Sequence, residues 1–215
     1  MFNAEIKGLH VLTDRKAVES RSLVEVIEQA IQGGASVIQL RDKTSTDEEM
    51  TALGKEILKL TTGRALFIVN DRVNVALAIG ANGVHVGQSD MPASKVRKLI
   101  GPNKMILGVS VSTVAQAIKA QENGADYLGV GPIFPTRTKT DADPPIGLGG
   151  LADIRNAVSL PIIAIGGINR NNARSIMEYA DGVAVISAVL RATNPQRAAY
   201  ELSAIINPVK RSKKI

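Results

Sequence analysis

Two aspartates, Asp71 and Asp90, stand nineteen residues apart, each just past a short run rich in β-branched residues: "LFIVN" before the first, "GVHVGQS" before the second. A buried strand has no structural use for a carboxylate at its end. Either these residues cap the helices that follow, as Asp commonly does, or they hold a hard cation. Mg2+ takes one or two protein carboxylates and completes its shell with water and phosphate oxygens. Asn70 precedes Asp71 and belongs to the same candidate group. A third stretch, "QLRDK", carries Gln39, Arg41 and Lys43 at alternate positions, which an extended chain turns to one side. A guanidinium fork beside an ammonium point charge suits a diphosphate. The competing reading is a surface salt bridge from these cations to Asp42 or Asp47. Ser110 ends "LGVS", where it serves either a turn or a site.

Two further stretches add polar groups. In "GPIFPTRTKTDADPPIGLGG" (131–150), Thr136 and Thr138 flank Arg137, and Lys139 follows. Long connections in compact domains are often functional, and hydroxyls with a lysine there can hold a phosphate. "AIGGIN" carries Gly166 and Gly167, where a missing Cβ lets backbone N–H groups approach an anion. Ser187 ends the last apolar run with a hydroxyl.

These residues need elements to position them. Strand-like runs fall near 8–13, 36–41, 65–70, 83–87, 105–110, 126–131, 161–166 and 182–187. Helical segments fall between them, at 21–32, 46–61, 72–79, 92–100, 113–122, 150–157, 170–179 and 194–206. Thr46 and Glu49 make a capping box, Pro92 stands where a helix start tolerates it, and Gly33-Gly34, Gly63, Gly80, Gly101 and Gly124 stand at helix ends. Eight strand–helix units in 215 residues predict an α/β protein of the (β/α)8 TIM-barrel class, with a doubly wound open sheet as the alternative. Residues 1–207 are expected to form the one barrel domain, and 208–215 a basic, disordered tail. In such barrels the loops at the C-terminal ends of the strands form the site. Asp71 and Asp90 then end neighbouring strands at that face. Gln39, Arg41 and Lys43 lie beside them, and the glycine pair and Ser187 occupy the usual phosphate position after strands seven and eight. His85 has the parity to point inward below the mouth, either as a core histidine or as part of the site. His10 has no distinguishing context, and the tyrosines and phenylalanines read as core or loop filler apart from Phe134.

Composition narrows the function. The chain has no cysteine, which removes disulfides, thiolate nucleophiles and zinc–thiolate sites. With no signal-like N-terminus, a cytoplasmic setting is expected. No apolar run approaches the ~20 residues that span a bilayer. Net charge is +6, but aromatics are only 3%, too few for base-stacking platforms. Phosphorylated small molecules are therefore the expected partners, rather than nucleic acid or a membrane. Association into a homo-oligomer is compatible with the sequence. No Ser/His/Asp triad can be assembled.

With these residues in view, the chain resembles the thiamine-phosphate synthase (thiamine-phosphate pyrophosphorylase) family. The matching stretches are "QLRDK", "NDRVNVALAIGANGVHVGQSDMP", "LGVS", "DYLGVGPIFPTRTK", "AIGGI" and "VISA". They come in family order over nearly the whole chain, with no departure at the motif positions. The resemblance implies a transferase on a (β/α)8 barrel. Such an enzyme joins 4-amino-2-methyl-5-hydroxymethylpyrimidine diphosphate to 4-methyl-5-(2-hydroxyethyl)thiazole phosphate, releasing diphosphate and thiamine phosphate. It implies that Gln39, Arg41, Lys43, Asn70, Ser110 and Lys139 bind the pyrimidine diphosphate, with Arg41, Lys43, Ser110 and Lys139 carrying the catalysis. It implies Mg2+ as cofactor on Asp71 and Asp90, and thiazole phosphate on Thr136, Thr138, Gly167, Ile186 and Ser187. Alternatives are a thiazole tautomerase-like enzyme, a non-catalytic thiamine-phosphate-binding protein, and a Schiff-base aldolase using Lys43 or Lys139.

Overall fold

Eight short parallel strands close on themselves. The computed structural model describes residues 6–102, 104–136, 138 and 144–207. The strands are β1 (Gly8–Leu12), β2 (Val37–Leu40), β3 (Leu66–Asn70), β4 (Gly83–Val86), β5 (Ile106–Val111), β6 (Tyr127–Val130), β7 (Ile162–Ile165) and β8 (Gly182–Val185). Each pairs with the next in sequence, and β8 pairs with β1, giving a closed barrel. The strands are largely apolar because both faces are covered, as parallel sheets require. One core lies between strands and helices. A second fills the barrel interior with Ile6, Leu12, Val37, Ile68, Ile106, Tyr127, Ile163 and Ala184.

Helices return each strand to the next: α1 (Arg15–Val18), α2 (Leu23–Gln32), α3 (Asp47–Thr61), α4 (Val73–Ile79), α5 (Ala93–Ile100), α6 (Val114–Glu122), α7 (Gly147–Ala157), α8 (Ala173–Ile176), α9 (Ser187–Leu190) and α10 (Pro195–Ile206). The Thr46/Glu49 capping box forms, with Glu49 N–H donating to Thr46 Oγ1 at 3.3 Å and Thr46 N–H to Glu49 Oε2 at 3.0 Å. Gly80 closes α4 in the left-handed conformation. The single turns α1 and α9 are too short to show a helical period. α8 covers only four of the ten residues expected for it. Before it, Asn171 N–H donates to Asn169 Oδ1 at 2.9 Å and Asn169 N–H to Asn172 Oδ1 at 2.8 Å, an alternative to helix that Asn offers readily. The basic tail, 208–215, lies outside the described residues. Among the described residues no helix is long and apolar enough to cross a membrane.

Candidate active site

A cavity of about 680 Å³ opens at the C-terminal ends of the strands, within the range of small-molecule sites. Gln39, Arg41, Lys43, Asn70, Asp71, Asp90 and Ser110 line it on the side of strands β2 to β5. Thr136, Thr138, Gly167, Ile186 and Ser187 line it on the side of β6 to β8. Every expected site residue within the described range lines this one cavity. Lys139, like Arg137, lies outside that range.

The acidic pair is built by two turns. After β3 the chain turns at Asp71 through a left-handed conformation (φ 64°), which Asp tolerates better than most residues. Asp71 N–H donates to the carbonyl of His85 at 2.7 Å, so the turn is tied to β4. Asp90 Oδ2 accepts the Gly87 N–H at 2.8 Å, which fixes the second carboxylate over the end of β4. Neither aspartate caps a helix: the N-cap positions of α4 and α5 are Arg72 and Pro92, and neither start has a side-chain cap bond. Lys43 Nζ lies 2.5 Å from Asp71 Oδ2. The Asp71 carboxyl is nevertheless held above the usual carboxylate range, chiefly by burial and further by the Asp90 carboxyl against it, which together outweigh Lys43. Two carboxylates converge here with less positive charge than both need. Among the described residues no group of three or more Asp, Glu, His or Cys could hold a metal. A hard cation on this pair would therefore draw most of its shell from water and ligand oxygens, as Mg2+ does.

The alternative pairings for the neighbouring cations are already taken. Asp42 binds Arg15 at 2.6 Å and also accepts from Thr44 and Ser45. Asp47 pairs with Arg72. Arg41 is held only through its backbone, with its N–H donating to Thr13 Oγ1 at 2.8 Å and its carbonyl accepting from the same hydroxyl at 2.9 Å. Among the described residues its guanidinium, on the cavity wall, has no hydrogen-bond or ion-pair partner.

Across the mouth, Gly166 (φ 100°) and Gly167 (φ 65°) end β7. A Cβ on Gly167 would meet the carbonyl oxygen of Pro135 at 2.6 Å and Phe134 Cβ at 2.8 Å. This glycine thus seats the loop after β6 on the end of β7 and brings Thr136 and Thr138 to the cavity. That packing use stands beside the anion approach expected of it, and a side chain here would displace the loop first. After β8, Ile186 leads into the single turn α9, which places Ser187 on the same wall.

Below the mouth runs a chain of polar side chains that sequence reasoning missed in part. His85 Nε2 lies 2.8 Å from Ser110 Oγ, and His85 Nδ1 lies 2.8 Å from the Tyr127 hydroxyl. Tyr127 is a core residue, as expected, but its hydroxyl is also engaged below the mouth. His10, without context in the sequence, is buried on the cavity floor, where its Nε2 meets the carbonyl of Ile6 at 2.6 Å. Burial lowers its pKa to about 4, against a smaller upward effect of that bond. Gln88, Gln116 and Arg191 also line the cavity without having been singled out. Their polar character was visible, but the turns that aim them were not.

A closed (β/α)8 barrel with an acidic pair, a lysine and an uncommitted guanidinium on one wall of its mouth, and hydroxyls and glycines on the other, defines an enzyme of anionic small molecules. The comparisons with known proteins specify the class. Residues 9–189 match the family model described as thiamine monophosphate synthase. A thiamine-phosphate synthase of Roseiflexus sp. is 52% identical over 200 residues, covering 92% of this chain and 84% of that one. That of Clostridium tetani is 47% identical over 201 residues, covering 93% and 95%. The solved thiamine phosphate pyrophosphorylase from Pyrococcus furiosus superposes with a TM-score of 0.88 at 42% identity, covering 98% of this chain and all of that one. 3-Hexulose-6-phosphate synthase, at 16% identity and TM-score 0.74, shares the fold. The chain belongs to the thiamine-phosphate synthase family.

Proposed function

We propose that the chain is a transferase that joins 4-amino-2-methyl-5-hydroxymethylpyrimidine diphosphate to 4-methyl-5-(2-hydroxyethyl)thiazole phosphate. Family membership supports the activity. The observation that carries the assignment to these residues is the convergence of Asp71, Asp90 and Lys43 beside Arg41. In the reaction, the bond between the pyrimidine methylene carbon and the diphosphate oxygen breaks, and its electron pair leaves with diphosphate. The lone pair of the thiazole nitrogen forms the new C–N bond. No proton need be removed, which fits a site without a catalytic triad.

Arg41, Lys43 and Lys139 bind the diphosphate and face the charge that grows on it as it leaves, the kind of stabilisation that contributes most in a preorganised site. Gln39, Asn70 and Ser110 orient the pyrimidine. Thr136, Thr138, Gly167, Ile186 and Ser187 hold the thiazole phosphate, so that its ring nitrogen waits on the far side of the methylene carbon. Asp71 and Asp90 would hold Mg2+, which supplies further positive charge to the diphosphate oxygens. A tautomerase acting on a thiazole phosphate alone would have no use for the acidic pair and cationic clamp. Phosphorylated substrates, which do not cross bilayers, support a cytoplasmic setting.

The test is direct. Both precursors and Mg2+ are mixed with the protein, and thiamine phosphate and diphosphate are measured. Equimolar release of the two is expected. Tight binding of thiamine phosphate with no turnover would assign a binding protein instead.

A further inference from the structure

We propose that His85 and Tyr127 are positioning residues that set the hydrogen-bond polarity of the pyrimidine side of the cavity, so that Gln39 presents an acceptor and Ser110 a donor. The proposal rests on the reading of that side given above.

Gln39 is 3% exposed, lines the cavity, and its Oε1 is buried with no hydrogen-bond partner. A buried acceptor left without a donor is costly, so a ligand donor is the natural partner for it. The same amide lies against the Tyr127 hydroxyl. Tyr127 is fully buried and must place its proton on some acceptor. Gln39 Oε1 does not take it. The remaining acceptor is His85 Nδ1, 2.8 Å away. Burial pushes the phenol's pKa well up, so that proton stays on the tyrosine oxygen. A neutral imidazole that accepts at Nδ1 carries its hydrogen on Nε2. Nε2–H then donates to Ser110 Oγ at 2.8 Å. Because Ser110 Oγ accepts there, its own O–H is not spent on His85 and can point to the cavity as a donor.

The barrel is shaped for this chain of bonds. His85, Gly108 and Tyr127 stand in register on β4, β5 and β6. A Cβ on Gly108 would lie 2.3 Å from both His85 Nδ1 and Tyr127 Cζ. A Cβ on Gly129, beside Ser110 in register, would lie 2.9 Å from His85 Cε1. The two glycines open the slot in which imidazole and phenol meet.

The chain has two histidines, so 15N-imidazole NMR of the whole protein at neutral pH reads the polarity directly. His10 faces a carbonyl with Nε2 and must carry its hydrogen there. Both imidazoles are therefore expected as the Nε2–H tautomer. An Nδ1–H signal can come only from His85 and overturns the proposal. Tyr127→Phe keeps the ring and removes the proton. It should raise the KM for pyrimidine diphosphate roughly 10-fold, the worth of a hydrogen bond of about 1.4 kcal/mol, with an unchanged KM for thiazole phosphate and an Nδ1–H signal appearing. An unchanged pyrimidine KM, or an equal rise in both, refutes the positioning role. If the wild type turns over neither substrate, the functional reading fails while the tautomer result still decides the polarity.

Discussion

Asp71 sits half-buried against a second carboxyl, with one lysine between it and net repulsion. This is an odd way to stabilise a fold and a good way to wait for a cation. Asp90→Asn removes the repulsion and keeps an oxygen for the Gly87 N–H. We predict that it leaves the metal-free melting temperature unchanged or higher, yet lowers turnover on the order of 100-fold, the scale of losing a major electrostatic stabiliser. It should also abolish any rise in melting temperature on adding Mg2+. Wild-type rates after strict Mg2+ removal would falsify the metal assignment. His10 gives a separate prediction. Its pKa is depressed from about 6.5 to about 4 in the fold, so the stability it contributes is present above pH 6.5 and is lost as pH falls toward 4. The shift corresponds to about 3 kcal/mol, and His10→Gln should flatten the pH–stability curve across that window in denaturant titrations. The polar residues at strand ends were legible because alternation and barrel topology alone send them to the mouth. His10 and Tyr127 were not, since nothing local marks a hydroxyl whose partner lies 42 residues away.

At the scale of elements, Gly108 shows why a strand position can be dictated by its neighbours. Gly108→Ala would drive a methyl group into His85 and Tyr127. Overpacking of this kind costs about 1–3 kcal/mol, and thermal melts should show it together with loss of pyrimidine diphosphate affinity. The strands could be read from sequence because each is a short β-branched run ended by glycine or polar residues. Helices with a capping box or an αL glycine, such as α3 and α4, were readable for similar reasons. α7 starts earlier than its glycine-rich "GLGG" suggests, because tertiary packing overrides weak propensity. The choice between metal pair and helix caps could not be made from spacing. Asp71 and Asp90 each precede a helix, and only the geometry shows that neither start has a side-chain cap.

At the scale of the molecule, closure sets the last strand and α10 against the first strand. α10 packs across α2 and β1 with Ala199, Leu202 and Ile206 buried. Leu202→Ala should therefore cost about 2–5 kcal/mol, and the whole barrel should lose that stability in one denaturant transition rather than the last helix fraying alone. The Arg41 guanidinium, left without a partner among the described residues at the mouth of a chain with net charge +6, has a further consequence. An unneutralised cation at a funnel's rim pulls multiply charged anions in from solution before any contact forms. Capture then becomes sensitive to ionic strength while the bond-making step inside does not, so added salt should depress kcat/KM for the diphosphate and spare kcat.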